Sequence, residues 1–135
     1  KLNDSLSNFI YKSILYMTKL IFHILNIGFV ILYIYPGSIF GFIFYRNFNK
    51  QPQITPDLIV SSNHVYAFSL LSLLGFINYY KSHKNLIISY FFLTSVLFEI
   101  FHIFIPNRSF QFSDLFGNII GVLFSLLLIN IWRRK

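Results

Sequence analysis

One glutamate stands alone inside an apolar stretch of this sequence, and several polar residues follow it at short spacing. His102 lies three residues after Glu99, so the two share a helix face. An acidic group at the centre of a membrane helix costs about 2.5–3.5 kcal/mol, so it usually faces other helices and has a partner. Arg108 follows the apolar stretch, and Asp114 and Asn118 lie four residues apart at the start of the next one. These five residues predict a polar binding site in which Arg108 meets an anionic group.

Each of these residues also has a simpler structural interpretation. In one alternative, Glu99 and Arg108 form a buried ion pair whose only role is to fix helix packing. Buried ion pairs are weak indicators of function. His102 alone is more often a hydrogen-bonded core residue than a ligand, and Asp114 is expected to cap the last helix at its N-terminus. The functional interpretation is favoured because all of these residues are expected close together on one side of the membrane.

Known catalytic and metal motifs are poorly supported. Glu-x-x-His occurs in four-helix carboxylate bundles, but those need a second such motif and further glutamates. Ser109 or Ser113 near His102 and Asp114 imitates a nucleophile arrangement, a weak match in so Ser-rich a chain. The absence of Cys excludes disulfides and Cys-based zinc sites. The sequence therefore predicts no metal, no cofactor and no assigned catalytic residue.

The composition indicates a membrane protein. Of the 135 residues, 56% are hydrophobic, 21% are aromatic and 11% are charged, whereas soluble domains carry about 25% charged residues. The net charge of +7 does not indicate nucleic acid, because the basic residues sit in small groups between apolar runs. Membrane lipids are the expected partners.

The apolar segments predict an all-α membrane protein, a bundle of four transmembrane helices forming one domain over residues 1–135. A bilayer core about 30 Å thick needs about 20 apolar residues per helix. The first segment is too long for the apolar part of a signal peptide and lacks a small-x-small cleavage site. Ser38–Tyr45 either extends the first helix past a kink or lies at the interface. The predicted helices cover residues 14–35, 62–80, 85–105 and 114–132.

Charge distribution predicts that both termini are cytoplasmic. Four crossings put both chain ends and the middle loop on one face, which holds eight of the eleven cations: Lys1, Lys12, Lys19, Lys81, Lys84, Arg133, Arg134 and Lys135. The other face holds Arg46, Lys50 and Arg108. The positive-inside rule places the more basic face in the cytoplasm.

The short connection between the third and fourth helices makes them antiparallel neighbours. This gathers the five polar residues in the outer leaflet. Asn63 and His64, at the outer start of the second helix, are additional candidates for the site. Gly117 and Gly121 lie four residues apart, a spacing of small residues that lets another helix approach closely.

The sequence around these residues resembles the VanZ-like family of bacterial membrane proteins. The family signature runs Glu-x-x-Gln, an aromatic residue, Pro and Arg, then Asp-x-x-x-Asn-x-x-Gly. Here it corresponds to Glu99-Ile-Phe-His102-Ile-Phe-Ile-Pro106-Asn-Arg108, followed by Asp114-Leu-Phe-Gly-Asn118-Ile-Ile-Gly121. Tyr35-Pro36-Gly37-Ser38 is similar to the end of the family's first helix.

The chain departs from the family at two places. His102 stands where the family usually has Gln. The family commonly opens its second helix with Asp-Lys-x-x-His, and here Tyr66 falls at that His position with His64 two residues earlier. The acidic–basic pair is missing, which indicates a divergent member.

The resemblance implies a protein of the bacterial cell envelope in the cytoplasmic membrane. The family's founding member is associated with low-level resistance to the glycopeptide antibiotic teicoplanin, and the resemblance implies no known enzymatic activity. Three hypotheses follow: a protein that binds a lipid or lipid-linked headgroup, an intramembrane enzyme with Glu99 as acid or base, and a structural subunit of a membrane complex. The first is favoured because the polar residues are too sparse for a catalytic set.

Overall fold

The structure, a computed structural model, describes residues 2–134, with side chains from residue 6 onward, and every regular element in that part is a helix. The prediction of an all-α protein is confirmed. The elements are α1 (Leu2–Ile34), α2 (Ile39–Tyr45), α3 (Ser62–Tyr79), α4 (Lys84–Phe101) and α5 (Phe112–Arg133).

Two predicted helix ends differ from the structure. α1 begins at Leu2 rather than near residue 14, so the polar N-terminal segment is helical too. α4 ends at Phe101 rather than residue 105. The backbone tightens there into bonds between residues three apart, from His102 N to Glu99 O and from Ile103 N to Ile100 O. This turn lets His102 face α1 instead of continuing along the helix.

Asp114 is not the N-cap of the last helix, so that prediction was wrong. α5 begins at Phe112, with Gln111 in the cap position, and Asp114 lies in the first turn. The reason is that the helix already begins two residues before Asp114, after the extended residue Gln111, whose backbone N–H donates to the Glu99 carboxylate at 2.8 Å. Asp114 is thereby left available to face α3.

The segment after α1 is a separate short helix. Gly37 has a φ of 99°, a conformation that glycine adopts easily and that turns the chain out of α1. The Ser38 hydroxyl then accepts the Gly41 N–H at 2.9 Å and caps the new helix. The structure therefore breaks the helix between Ile34 and Ile39, and the choice between an extension past a kink and a position at the interface stays open.

Small residues on α5 allow the close approach of α3. A Cβ added to Gly117 would lie 2.7 Å from the Ser61 oxygen, and one added to Gly121 would lie 2.6 Å from the Val65 oxygen. One turn further on, the Ser125 hydroxyl donates to the Ser69 oxygen at 2.6 Å. This contact brings the start of α3 against the start of α5, where the site lies.

Within the part of the chain that the structure describes, three helices are long and apolar enough to cross a membrane: Leu6–Ile34, Lys84–Phe101 and Phe112–Arg133. α3 has 18 residues, about 27 Å of helix, but it is more polar. Its His64, Ser72 and Asn78 are buried against other helices. These polar groups lower the mean hydropathy of α3, although they face other helices and not lipid. That α3 crosses the membrane stays a prediction.

One end of the helices is distinctly cationic. The Lys19 amine lies 5.5 Å from the centre of the Tyr79 ring, and Lys84 and Arg133 lie 5.1 and 5.0 Å from the centre of the Tyr80 ring. The carboxyl end of α4 and the amino end of α5 are at the opposite end. Lys1 and Lys135, which belong to the charge count made from the sequence, and the Asp4 side chain lie outside what the structure describes.

The α3–α5 contact predicts that Gly121→Ala destabilises the protein. The added methyl would meet backbone atoms, and overpacking typically costs about 1–3 kcal/mol. Gly28→Ala is the matched control, because a Cβ at Gly28 meets nothing within 4 Å. Thermal unfolding in detergent should show a lower midpoint for Gly121→Ala and an unchanged or higher one for Gly28→Ala. Equal midpoints for the two variants would contradict the packing described.

Candidate functional site

Asn118 is the centre of a hydrogen-bond network that reaches all four long helices. Its Oδ1 on α5 lies 2.9 Å from the Tyr33 hydroxyl of α1 and 2.9 Å from His64 Nδ1 of α3. Its Nδ2 donates to the Ser95 backbone oxygen of α4 at 3.1 Å, which fixes the orientation of the amide. The Tyr33 hydroxyl and His64 Nδ1 are 2.8 Å apart. Three buried polar groups therefore satisfy one another at a single point.

His64 connects this network to Asp114. Its Nε2 lies 3.4 Å from Asp114 Oδ2, across the interface of α3 and α5. Asn118 Oδ1 only accepts hydrogen bonds, so His64 Nδ1 carries a proton to bond with it. The Ser113 hydroxyl also contacts Asp114, donating to Oδ1 at 3.3 Å. Asp114 lies in the first turn of α5, where the helix dipole favours negative charge.

Glu99 is fully buried and only partly satisfied. Its Oε1 accepts the Gln111 N–H, and its Oε2 lies 3.2 Å from His102 Nδ1. That contact is too poorly aligned for a hydrogen bond, and Oε2 has no other partner. His102 in turn places Nε2 3.1 Å from the Tyr33 backbone oxygen, and its ring is stacked on the Tyr33 ring. A buried carboxylate oxygen without a hydrogen-bond partner is costly. A further group bound beside Oε2 would therefore stabilise this part of the site.

Arg108 binds the carboxyl end of α1 rather than Glu99. Its Nη2 donates to the backbone oxygens of Gly37 at 2.7 Å and Leu32 at 3.2 Å, and its Nε donates to that of Tyr35 at 3.3 Å. The end of a helix carries unpaired carbonyl groups and partial negative charge, which suits a guanidinium. Among the described residues, Arg108 forms no ion pair with Glu99, so the expected pair is absent.

Burial lowers the pKa of the Arg108 guanidinium, while the neighbouring acidic groups of Tyr33, Glu99 and Asp114 act against that lowering. Arginine starts from so high a pKa that it stays charged. Within residues 2–134, its Nη1 makes no hydrogen bond. Nη1 of the fixed Arg108 guanidinium is therefore available to donate hydrogen bonds to another group.

Most of the residues predicted from the sequence come together. Glu99, His102, Asp114, Asn118 and the additional candidate His64 form one group with Tyr33, which we call the polar cluster; all but the partly exposed Asp114 are buried. Arg108 adjoins it. Asn63 does not join, because its amide binds the Pro52 oxygen and the Ile54 N–H and so holds the loop before α3. Gly117 and Gly121 face α3, as described above.

Sequence reasoning missed Tyr33, and little in the sequence could have revealed it. In a chain with nine Tyr and 18 Phe, a tyrosine near a helix end is expected at the level of the lipid headgroups. Tyr33 instead points inward and is buried. Its position two residues before Tyr35-Pro36 was the one available signal, because the chain turn holds it level with the starts of α3 and α5.

Two cavities of different character adjoin the polar cluster. The larger, about 410 Å³, is a half-open cleft walled largely by apolar side chains such as Phe29, Phe44, Ala67 and Leu70, and His64 also lines it. The smaller, about 160 Å³, is a polar chamber lined by groups that include Asn107, Ser109, Gln111 and Asp114. Ser38, Gln51, His102 and Arg108 line both. The polar chamber and the apolar cleft therefore adjoin each other at these four residues.

A comparison with protein-family models decides the affiliation of the chain. The model described as VanZ/LLP1 matches residues 3–133. The chain belongs to the VanZ/LLP1 family. The resemblance read from the motif around Glu99 and Asp114 is confirmed, and it extends over almost the whole sequence. No curated protein and no solved structure matches this VanZ/LLP1 protein.

The structure clarifies one departure of this VanZ/LLP1 protein from the family motif. His64, rather than Tyr66, enters the polar cluster. Tyr66 is partly exposed and its hydroxyl lies 3.1 Å from that of Thr55, in the loop before α3. The start of α3 therefore still supplies a histidine to the site, although it stands two residues early in the sequence.

Proposed function

We propose that this VanZ/LLP1 protein binds an amphiphile with an anionic phosphate, either a lipid or a lipid-linked intermediate of the bacterial envelope. The observation that carries the proposal is that a polar and an apolar cavity adjoin, with His102 and Arg108 in the lining of both. An apolar chain fits the cleft, whose walls are aromatic and aliphatic. A polar headgroup fits the chamber, where Ser109, Asn107 and the free Nη1 of Arg108 offer hydrogen bonds.

The geometry refines the role expected for Arg108. Its carbonyl partners at the end of α1 hold the guanidinium in place. A pre-positioned cation loses less side-chain entropy when it meets a ligand. His102 and Asp114 complete the wall of the chamber.

The enzyme hypothesis receives less support from the same geometry. Glu99, the expected acid or base, lines neither of these two cavities and is 0% exposed. A general acid or base must lie within hydrogen-bond reach of the proton that it transfers. Glu99 is better explained by a role inside the protein than by contact with a ligand in the cleft.

We further propose that α1, α3, α4 and α5 all cross the bacterial cytoplasmic membrane with both termini in the cytoplasm. Support comes from the cations gathered around Tyr79 and Tyr80 at the end opposite the polar cluster. The site then opens in the outer leaflet, where a contribution to teicoplanin resistance would act.

Single cysteines test this orientation, because the natural chain has none. Leu58 is 95% exposed in the loop before α3, and Ser82 is exposed in the turn before α4. A membrane-impermeant maleimide should label Leu58→Cys in intact cells and Ser82→Cys only after permeabilisation. Labelling of both from the same side would contradict four crossings.

Filling the cleft should weaken amphiphile binding. Ala67→Trp places a large ring in the cleft at a residue whose side chain makes no hydrogen bond in the polar cluster, and Leu93→Trp on the exposed face of α4 is the matched control. We expect Ala67→Trp to weaken retention of a polyprenyl phosphate or of phosphatidylglycerol in detergent at least tenfold. Comparison of the two probes separates the two sources of phosphate, and phosphatidylcholine serves as the zwitterionic reference. Unchanged binding by Ala67→Trp would contradict the cleft assignment.

The same variants address antibiotic resistance in a susceptible host. The wild-type protein and Leu93→Trp should raise the inhibitory concentration of teicoplanin, and Ala67→Trp should not. If the wild-type protein gives no increase, the link to resistance fails while the binding proposal stands on its own measurement.

A further inference from the structure

The oxygen Oε2 of Glu99 is the least satisfied polar atom of the site, and its surroundings suggest what belongs next to it. Glu99 is 0% exposed, and Oε2 is buried without a hydrogen-bond partner. One ligand atom each from His64, Glu99 and Asp114 lie within 4.8 Å of one another. Two carboxylates at such a distance repel each other unless a proton or a cation lies between them. Arg108 is not that cation, because α1 carbonyl groups hold it.

The orientation of His64 is that of a histidine prepared to bind a metal. Its Nδ1 is used by Asn118 Oδ1 and the Tyr33 hydroxyl, so the proton of the neutral ring belongs on Nδ1. Its Nε2 then presents a lone pair to Asp114 Oδ2 at 3.4 Å. A nitrogen lone pair that faces a carboxylate oxygen is repelled by it. A cation between the two atoms would remove this repulsion, because both atoms would bind it. Metal-bound histidines usually donate their other N–H to a protein oxygen in this way.

One spacing in the site is close to that of zinc ligands. With metal–ligand bonds of about 2.0–2.1 Å, ligand atoms in a tetrahedral zinc site lie about 3.3 Å apart. The His64–Asp114 separation of 3.4 Å is close to this value, and the Glu99 atom, within 4.8 Å of the other two, would have to move closer to bind the same ion. Imidazole together with carboxylate suits divalent transition metals, and two carboxylates neutralise the charge of the ion.

We propose that His64, Glu99 and Asp114 bind one divalent zinc ion at the junction of α3, α4 and α5. Three protein ligands leave a fourth position for water or for a ligand oxygen. His64 lines the cleft and Asp114 lines the polar chamber, which gives the ion a path into the site. His102 lies beside Glu99 and is fixed by the Tyr33 backbone oxygen, so it acts as a positioning residue. The proposal does not depend on amphiphile binding.

The test is metal binding by the full chain, purified in detergent without a histidine tag and stripped with a chelator. Equilibrium dialysis against Zn²⁺ should give about one ion per chain. Co²⁺ in its place should give the intense visible bands of a four- or five-coordinate site. His64→Gln, Glu99→Gln and Asp114→Asn should each weaken Zn²⁺ binding at least tenfold, since loss of even a supporting partner typically costs about 10–100-fold.

Matched controls lie outside the site. His83→Gln changes an exposed histidine of the turn before α4, and Asp57→Asn changes an exposed carboxylate of the loop before α3. Both should bind Zn²⁺ like the wild-type protein. Absence of stoichiometric Zn²⁺ in the wild-type protein would overturn the proposal, whether or not the variants fold. The weak Co²⁺ spectrum of a six-coordinate hydrated ion would overturn it too, as would site variants that bind as tightly as the controls.

Discussion

The side chain of Asn118 is the constraint on which the rest of the structure depends. It stands on α5 and contacts Tyr33 of α1, His64 of α3 and Ser95 of α4. A side-chain amide with no partner in an apolar interior costs several kcal/mol, so the four helices must bring their polar groups to it. Dispersion alone would let helices slide past one another, because lipid is as apolar as their surfaces. The amide fixes their relative positions.

This constraint explains the distribution of polarity over the molecule. The polar groups of α3 and α5 point at each other, and glycines at two successive turns of α5 give the room for it. Large apolar side chains cover the outside, as shown by Leu70, Leu86 and Phe104, which are 72%, 70% and 79% exposed. A surface of this kind suits acyl chains. It leaves the end near Asn118 as the place where a polar ligand can reach ionisable groups.

The sequence predicted the helices and the gathering of most site residues because both follow from simple constraints. Long apolar runs form helices in lipid, and a short connection makes α4 and α5 antiparallel, which brings Glu99 near Asp114. The sequence could not predict which partner each group selects. Arg108 was expected beside Glu99, but the end of α1 and the turn after it offer three carbonyl oxygens, which accept three hydrogen bonds from the guanidinium. Asp114 was expected as a cap, but the helix begins two residues earlier, at Phe112, where the Glu99 carboxylate binds the Gln111 amide.

The sequence also could not show which side chains approach each other from different helices. A metal site was dismissed because Glu99-x-x-His102 has no second copy in the sequence. The atoms that do approach each other come from three helices, and the histidine concerned is His64. Spacing along one helix shows only what one helix contributes. The register between α3 and α5, set by Gly117 and Gly121, decides the rest.

Replacement of Asn118 by leucine tests the central role of this residue most directly. Asn118→Leu keeps the branched shape of the side chain and leaves the Ser95 oxygen, the Tyr33 hydroxyl and His64 Nδ1 without the amide, at a cost of about 1–3 kcal/mol for each group not satisfied elsewhere. Asn130→Leu on the same helix removes one bond, from the Tyr80 hydroxyl, and single interhelical bonds in membranes average about 0.6 kcal/mol. Reversible unfolding in mixed micelles should show a loss of at least about 2 kcal/mol for Asn118→Leu, well above that for Asn130→Leu. Equal losses for the two variants would contradict the account.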